Sequence, residues 1–347
     1  MHDMELPSNL KAIARAGAGT NNIPSDKCAQ QGIVVFNTPG ANANAVKEAV
    51  LGAMFLSARN IVGGINWVQD LGSEGDRVPA LVEKGKSNFG GTELRGKTLG
   101  VIGLGAIGAM VANDALALGM NVIGYDPYLS VDAAWFLSNE VQKATGLETL
   151  LSQVDYITIH VPLMDSTKDM FNSEKFNMMR DGVKILNFAR GGLVNNDDLK
   201  SAIKSNKVSC YVTDFPDVEL LNVDGVIPIP HLGASTAESE ENCAVMAVNQ
   251  LKDFLENGNI KNSVNYPNCS LSRTVGDKRV VIANKNIPNM IGEITSLLAD
   301  NSINICDMLN KSRGDFAYNI IDIEGDIEGK VIKSLEGIEG IIRVRVL

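Results

Sequence analysis

The sequence predicts an α/β protein built on a doubly wound parallel sheet, followed by a smaller βαββαβ module. Three observations predict it. Short β-branched runs alternate with helical stretches from residue 98 to 214, the pattern of a parallel sheet covered by helices on both faces. A glycine-rich turn sits at the first strand-to-helix junction of that block. From residue 278 the rhythm changes to strand, helix, two strands, helix, strand, the order of a ferredoxin-like module of about seventy residues.

Taken in order, residues 45 to 70 keep apolar positions at i, i+3 and i+4 and predict one long helix. The Gly-rich, charged stretch from 72 to 97 reads as a connector. Strands are expected at 98–105, 121–126, 156–162, 183–189 and 208–214, with a helix at 107–119. In "VIPIPHLGAS" (226–235) the two prolines favour extended backbone, which places His231 on a loop where a strand runs out. A helix of about twenty residues follows, capped by Ser235 or Thr236 and stopped by Gly258. Residues 265–277 read as a linker.

Composition narrows the function. At 347 residues the chain exceeds a single core, and 45% apolar residues allow real ones. A net charge of -10 and a pI near 4.9 leave no cationic face for nucleic acid. Five scattered cysteines without a CxxC pair argue for a reducing, cytoplasmic setting. The opening "MHDMELPSNLK" lacks a signal peptide, and no apolar run reaches membrane-spanning length. His2, His160 and His231 are far apart and no metal-ligand spacing occurs, so no metal is expected.

"VIGLGAIG" supplies Gly103, Gly105 and Gly108 in a GxGxxG turn between a strand and a helix. Such a turn brings backbone amides and a helix N-terminus to a pyrophosphate. Asp126 ends the next strand, 18 residues beyond Gly108, where a carboxylate accepts from both adenine ribose hydroxyls. That carboxylate favours NAD, since it would repel the 2′-phosphate of NADP and "PYLS" offers no arginine to receive one.

Three further stretches fall where strands of this Rossmann-type sheet end: "HVPL" (160–163, with His160 and Pro162), "NFARGG" (187–192) and "PHLGAS" (230–235). Hydride transfer between NAD and a hydroxy acid needs a cation to fix the carboxylate and polarise the carbonyl, and an acid/base titrating near neutrality. Arg190 suits the first role and His231 the second. A carboxylate partner for the imidazole would orient it; Glu219, 29 residues after Arg190, and Asp217 are the candidates.

"AGAGTNNI", "NTPGANANAVKE", "LRGKTLGVIGLGAIG", "HVPL", "NFARGGLVN" and "PHLGAST" together resemble the D-isomer-specific 2-hydroxyacid dehydrogenases, and the C-terminal module resembles an ACT domain. The resemblance implies a catalytic trio of Arg190, Glu219 and His231. It also implies NAD contacts at Gly103, Gly105, Ala106, Ile107, Gly108, Asp126, His160, Pro162, Phe188, Ala189, Arg190, Asp214, His231, Gly233 and Ala234. Gly17, Ala18, Gly19 and Asn21 would face the substrate.

The implied organisation is a partial flavodoxin-like substrate domain (1–44 with 240–272, incomplete at its start), an NAD-binding domain (45–239) and a regulatory ACT domain (277–347). Family members commonly read aspartate-valine-phenylalanine before the glutamate, whereas this chain reads "DFPDVE". The activity implied is oxidation of D-3-phosphoglycerate, with another glycerate- or hydroxypyruvate-type acid, or a silent sensor, as alternatives. Asn286 and Asn304 match positions that take an amino-acid effector, L-serine, in related domains. Asn289 stands where a turn glycine is usual, and the apolar helices predict a homodimer or homotetramer.

Overall fold

The computed structural model describes residues 1–273 and 276–347; Thr274 and Val275 of the expected linker lie outside them. The chain forms two compact units, Met1–Asn42 with Glu240–Leu347, and Ala43–Ser239.

The first unit opens with β1 (Ala12–Ala14), α1 (Ser25–Gln30) and β2 (Val34–Phe36). β1 and β2 pair in parallel, Ala12 opposite Val34. The second unit follows with α2 (Ala43–Ala58), α3 (Ile61–Asp70), α4 (Val78–Gly85), β3 (Thr98–Ile102), α5 (Ala106–Ala117), β4 (Asn121–Tyr125), α6 (Val131–Phe136), β5 (Gln142–Lys143), α7 (Leu147–Leu151), β6 (Tyr156–Ile159), α8 (Ser173–Met178), β7 (Val183–Asn187), α9 (Asn196–Lys204), β8 (Val208–Thr213) and β9 (Val226–Pro228). α10 (Ala237–Asn257) carries the chain back into the first unit. There β10 (Lys278–Lys285), α11 (Met290–Asp300), β11 (Ile305–Arg313), β12 (Phe316–Ile323), α12 (Gly329–Glu336) and β13 (Ile341–Val346) complete the βαββαβ module.

The seven strands of the second unit lie side by side in the order β5-β4-β3-β6-β7-β8-β9, all parallel. The order reverses between β3 and β6, which opens a crevice at the carboxyl ends of those strands. β6 is buried along its whole length, as a central strand with helices on both faces must be. One face carries Ile157, Ile159, Leu150, Leu151, Val154 and Ile185, all 0% exposed; the other carries Leu99, Val101, Val111, Ala112 and Val212. Each of the larger side chains contributes about 1.5–3 kcal/mol by leaving water.

The βαββαβ module orders its strands β11-β12-β10-β13 in an antiparallel sheet. Val280, Ile282, Ile321 and Ile323 pack toward α11 and α12 (Ile294, Leu298, Val331, Leu335), and Val281, Ala283, Tyr318 and Ile320 pack with Phe36, Phe254 and Tyr266. Arg279 and Asp322 form a fully buried bidentate pair at 2.6 and 2.7 Å, and the free Nη1 of Arg279 donates to the carbonyls of Asn257 and Leu271. Asn289 adopts the left-handed conformation, φ 69°, that its turn requires.

Three local expectations are corrected. The single helix over 45–70 is two helices, because Asn60 breaks the run and its side chain accepts from the Gly63 amide as a new N-cap. The connector at 72–97 contains α4, started by Pro79 in its first turn. The two-residue strand β5 at the sheet edge was not expected. Within the long helix, Thr236 is the cap, accepting from the Ser239 amide, and Gly258 ends it with φ 73°.

Candidate active site

The strand-ending turns of the second unit assemble the site. Gly103 leaves β3 with φ 87°, a conformation open to glycine, and any side chain there would meet the carbonyl of His160. Gly105 caps α5, and nothing lies within 4 Å of where its Cβ would be, so the space before this 12-residue helix is open. Gly108 lies under the Gly103 carbonyl oxygen and has no room for a side chain. The cradle therefore fits a pyrophosphate, with amides of Ala106 and Ile107 at the helix start. Asp126, beyond β4, accepts from the Leu104 and Tyr128 amides, both at 2.8 Å, which fixes its carboxylate beside the glycine turn.

His160 follows β6. Its Nε2 is 2.8 Å from Thr158 Oγ1, its buried Nδ1 has no partner among the described residues, and burial pushes its pKa down to about 3. It is a neutral wall of the crevice. Pro162 lies on the same exit, its carbonyl accepting from Thr167.

After β7, Asn187 organises the turn that carries Phe188, Ala189 and Arg190. Its side-chain oxygen accepts from the amides of Ala189 (3.1 Å) and Arg190 (3.4 Å), and its amide group donates to the Arg190 carbonyl (2.9 Å) and the Tyr211 hydroxyl (3.1 Å). Asn187 is 1% exposed, so its hydrogen-bonding capacity is spent on that turn. The Arg190 guanidinium is exposed and donates to the Ala189 carbonyl at 2.7 Å.

Asp214 follows β8, 2% exposed, with one oxygen taking the Gly233 amide at 3.3 Å and the other without a partner among the described residues. Burial raises its pKa, against the pull of His231, of the Gly233 amide and of Arg190. Phe215 comes next. Its ring centroid is 4.4 Å from that of His231 and 6.0 Å from Arg190 Cζ. Ala234 packs against the Leu99–Val212 face of the sheet, next to Gly233.

Arg190, His231 and Asp214 thus come together. Glu219 does not reach the imidazole: it lies on a short 3-10 turn (Val218–Leu220) and faces Lys200 at 3.8 Å. Asp217 caps that turn and accepts from Asn196. Asn187, Tyr211 and Phe215 also belong to the site, although the sequence alone does not single them out. The signal for Asn187 is a polar residue closing the apolar run "VKILN", and for Phe215 an aromatic directly after a strand-end aspartate.

In the first unit, the Gly17–Asn21 loop is tied by the Gly17 amide to Thr38 Oγ1 (2.7 Å), by Asn37 to the Ala18 carbonyl (2.7 Å) and by the Arg15 guanidinium to the Gly19 carbonyl. The Asn21 carbonyl is 2.9 Å from His2 Nε2. On the C-terminal module Asn286 donates to the Gly314 carbonyl and Asn304 to Glu324, each at 3.0 Å.

Residues 51–233 match the D-isomer specific 2-hydroxyacid dehydrogenase, NAD binding domain. The chain is 32% identical to the D-3-phosphoglycerate dehydrogenase of Haemophilus influenzae over 99% of its own length and 83% of that protein. It is 34% identical to the enzyme of the same name from Methanocaldococcus jannaschii over 88% of its length, but spans only 56% of that longer relative. The NAD+-bound 3-phosphoglycerate dehydrogenase structure from Entamoeba histolytica superposes with a TM-score of 0.58 at 29% identity, covering 74% of this chain and 76% of that one.

Proposed function

Because the chain belongs to the D-isomer-specific 2-hydroxyacid dehydrogenases, we propose that it oxidises D-3-phosphoglycerate to 3-phosphohydroxypyruvate, the first step of a phosphorylated route to serine. The observation that carries the proposal is the meeting of a guanidinium and an imidazole, Arg190 and His231, on one aromatic ring at the carboxyl end of the parallel sheet. That edge is also where the glycine turn for NAD lies.

NAD supplies a hydride acceptor when held by the Gly103–Gly108 turn and Asp126. Arg190 binds the substrate carboxylate and polarises the C2 oxygen as it becomes a carbonyl. His231 takes the hydroxyl proton from that oxygen. Buried Asp214 lies beside His231, whose charge pulls against the burial that raises the Asp214 pKa. The Gly17–Asn21 loop with Arg15 suits an anionic substrate group. Glu219 belongs to the trio only if its exposed side chain leaves Lys200 for the imidazole.

The finer assignments rest on the same reading. Phe55, Ile61, Ile65 and Val68 leave exposed apolar surface along α2 and α3, which supports pairing of two copies in a homodimer or homotetramer. All five cysteines are free, which supports a cytoplasmic enzyme. The C-terminal module is assigned as an ACT domain, with L-serine bound near Asn286 and Asn304.

Purified protein mixed with NAD at alkaline pH tests this by absorbance at the reduced nicotinamide band. Turnover of D-3-phosphoglycerate in preference to D-glycerate and D-lactate is expected. Preference for an unphosphorylated acid would move the assignment to another D-2-hydroxy acid, and NAD binding without any turnover would make the chain a sensor.

A further inference from the structure

Neither catalytic candidate is held by the contacts that usually fix such groups. Among the described residues the His231 ring meets Phe215 and its nitrogens make no hydrogen bond, and Glu219 is turned to Lys200. The Arg190 guanidinium donates, among the described residues, only to the Ala189 carbonyl. Both side chains are exposed, so each would sample several rotamers, at a cost whenever a substrate orders them.

What both touch is Phe215. Its ring lies 4.4 Å from the imidazole at an interplanar angle of 47°, and 6.0 Å from Arg190 Cζ. The Phe215 backbone is itself fixed: its amide donates to the hydroxyl of fully buried Thr213 at 3.0 Å, and the preceding Asp214 is buried. A side chain on Gly191 would come to 3.7 Å of Phe215 Cβ, so the arginine turn runs beside the base of that side chain. The aromatic occupies the position directly after Asp214, in "DFPDVE".

We propose that Phe215 is a positioning residue that holds His231 and Arg190 at a fixed separation against one aromatic ring. The inference rests on the dehydrogenase reading. The ring packs against the imidazole and offers its negative face to the guanidinium. Asp214, at the exit of β8, is a charged neighbour of the imidazole, and the ring stands between the imidazole and the arginine of the β7 turn.

Two readouts test it. With three histidines in the chain, the His231 Hε1 resonance is assigned by its loss in His231→Ala. In Phe215→Leu it is expected to move toward its random-coil position, while Phe215→Tyr leaves it in place. In the same variants kcat for D-3-phosphoglycerate is expected to fall about tenfold in Leu and to be restored in Tyr, with NAD affinity unchanged in both. Phe215→Val, with its thermal melt recorded, replaces Leu if that variant unfolds. An unmoved resonance, or equal turnover in the Leu and Tyr variants, overturns the proposal. If the parent turns over no hydroxy acid, the dehydrogenase reading fails, and the resonance still decides whether the ring holds the imidazole.

Discussion

The carbonyl oxygen of Gly103 stands where a side chain on Gly108 would have to be. The two glycines are a matched pair: one makes the turn at positive φ, and the other lets the helix pass beneath it. Gly108→Ala is therefore expected to push the turn outward and to weaken NADH binding at least tenfold, on the order of 1.4 kcal/mol, in a fluorescence titration. Unchanged affinity with an unchanged melting temperature would mean that the turn is not the pyrophosphate cradle.

Asp126 serves the loop before it serves a cofactor, since its two oxygens each take a backbone amide at 2.8 Å. Asp126→Ala should both loosen the glycine turn and remove repulsion of a 2′-phosphate. NAD affinity is expected to fall about tenfold while NADP affinity holds or rises, so that their ratio narrows. Calorimetry with both cofactors measures the ratio, and a parallel loss of the two would deny Asp126 its selective role.

Asn187 lies beneath the Arg190 turn with all its bonds made inside the protein. Asn187→Ala leaves two amides, a carbonyl and a hydroxyl without that partner, at about 1–3 kcal/mol of stability, and frees Arg190. We expect a lower melting temperature together with a raised KM for the acid. Tyr211→Phe, which removes one bond of the set, should do much less. Equal effects from the two variants would place the weight on the Tyr211 hydroxyl instead.

His160 makes acid stability a test of burial. Its folded pKa is pushed from 6.5 to about 3, so below pH 6.5 the unfolded chain binds a proton that the folded chain refuses. Stability should fall with pH across that window by up to about 1.4 kcal/mol per unit. His160→Asn is expected to flatten that limb in urea melts recorded between pH 4 and pH 7. A parent and variant with superimposable pH profiles would show that the imidazole is accessible to protons.

Much of this was legible because it rests on local rules. Glycine spacing, β-branched runs and the proline before His231 dictate backbone directly, and β10 begins and ends where the apolar run "KRVVIANK" does. The break at Asn60 was hidden because both flanking helices keep the same 3.6-residue period. α4 was hidden because eight residues between glycines look like a loop. Asn187, Tyr211 and Phe215 act through partners brought close by sheet registry, such as Asn187 beside Thr213 across β7 and β8, and spacing along the chain does not report that. Glu219 shows the same limit from the other side, since its distance in sequence from Arg190 says nothing of Lys200.

Hydride transfer from C2 of a D-2-hydroxy acid, with His231 as the base, can be followed with D-3-phosphoglycerate deuterated at C2, in a single turnover with NAD and with mass analysis of the reduced cofactor. One deuterium on the nicotinamide ring, a slower reaction than with protium, and a rate about 10²–10⁴-fold lower in His231→Ala are expected. Deuterium released to solvent with no reduced cofactor, or a His231→Ala rate equal to the parent's, would contradict it.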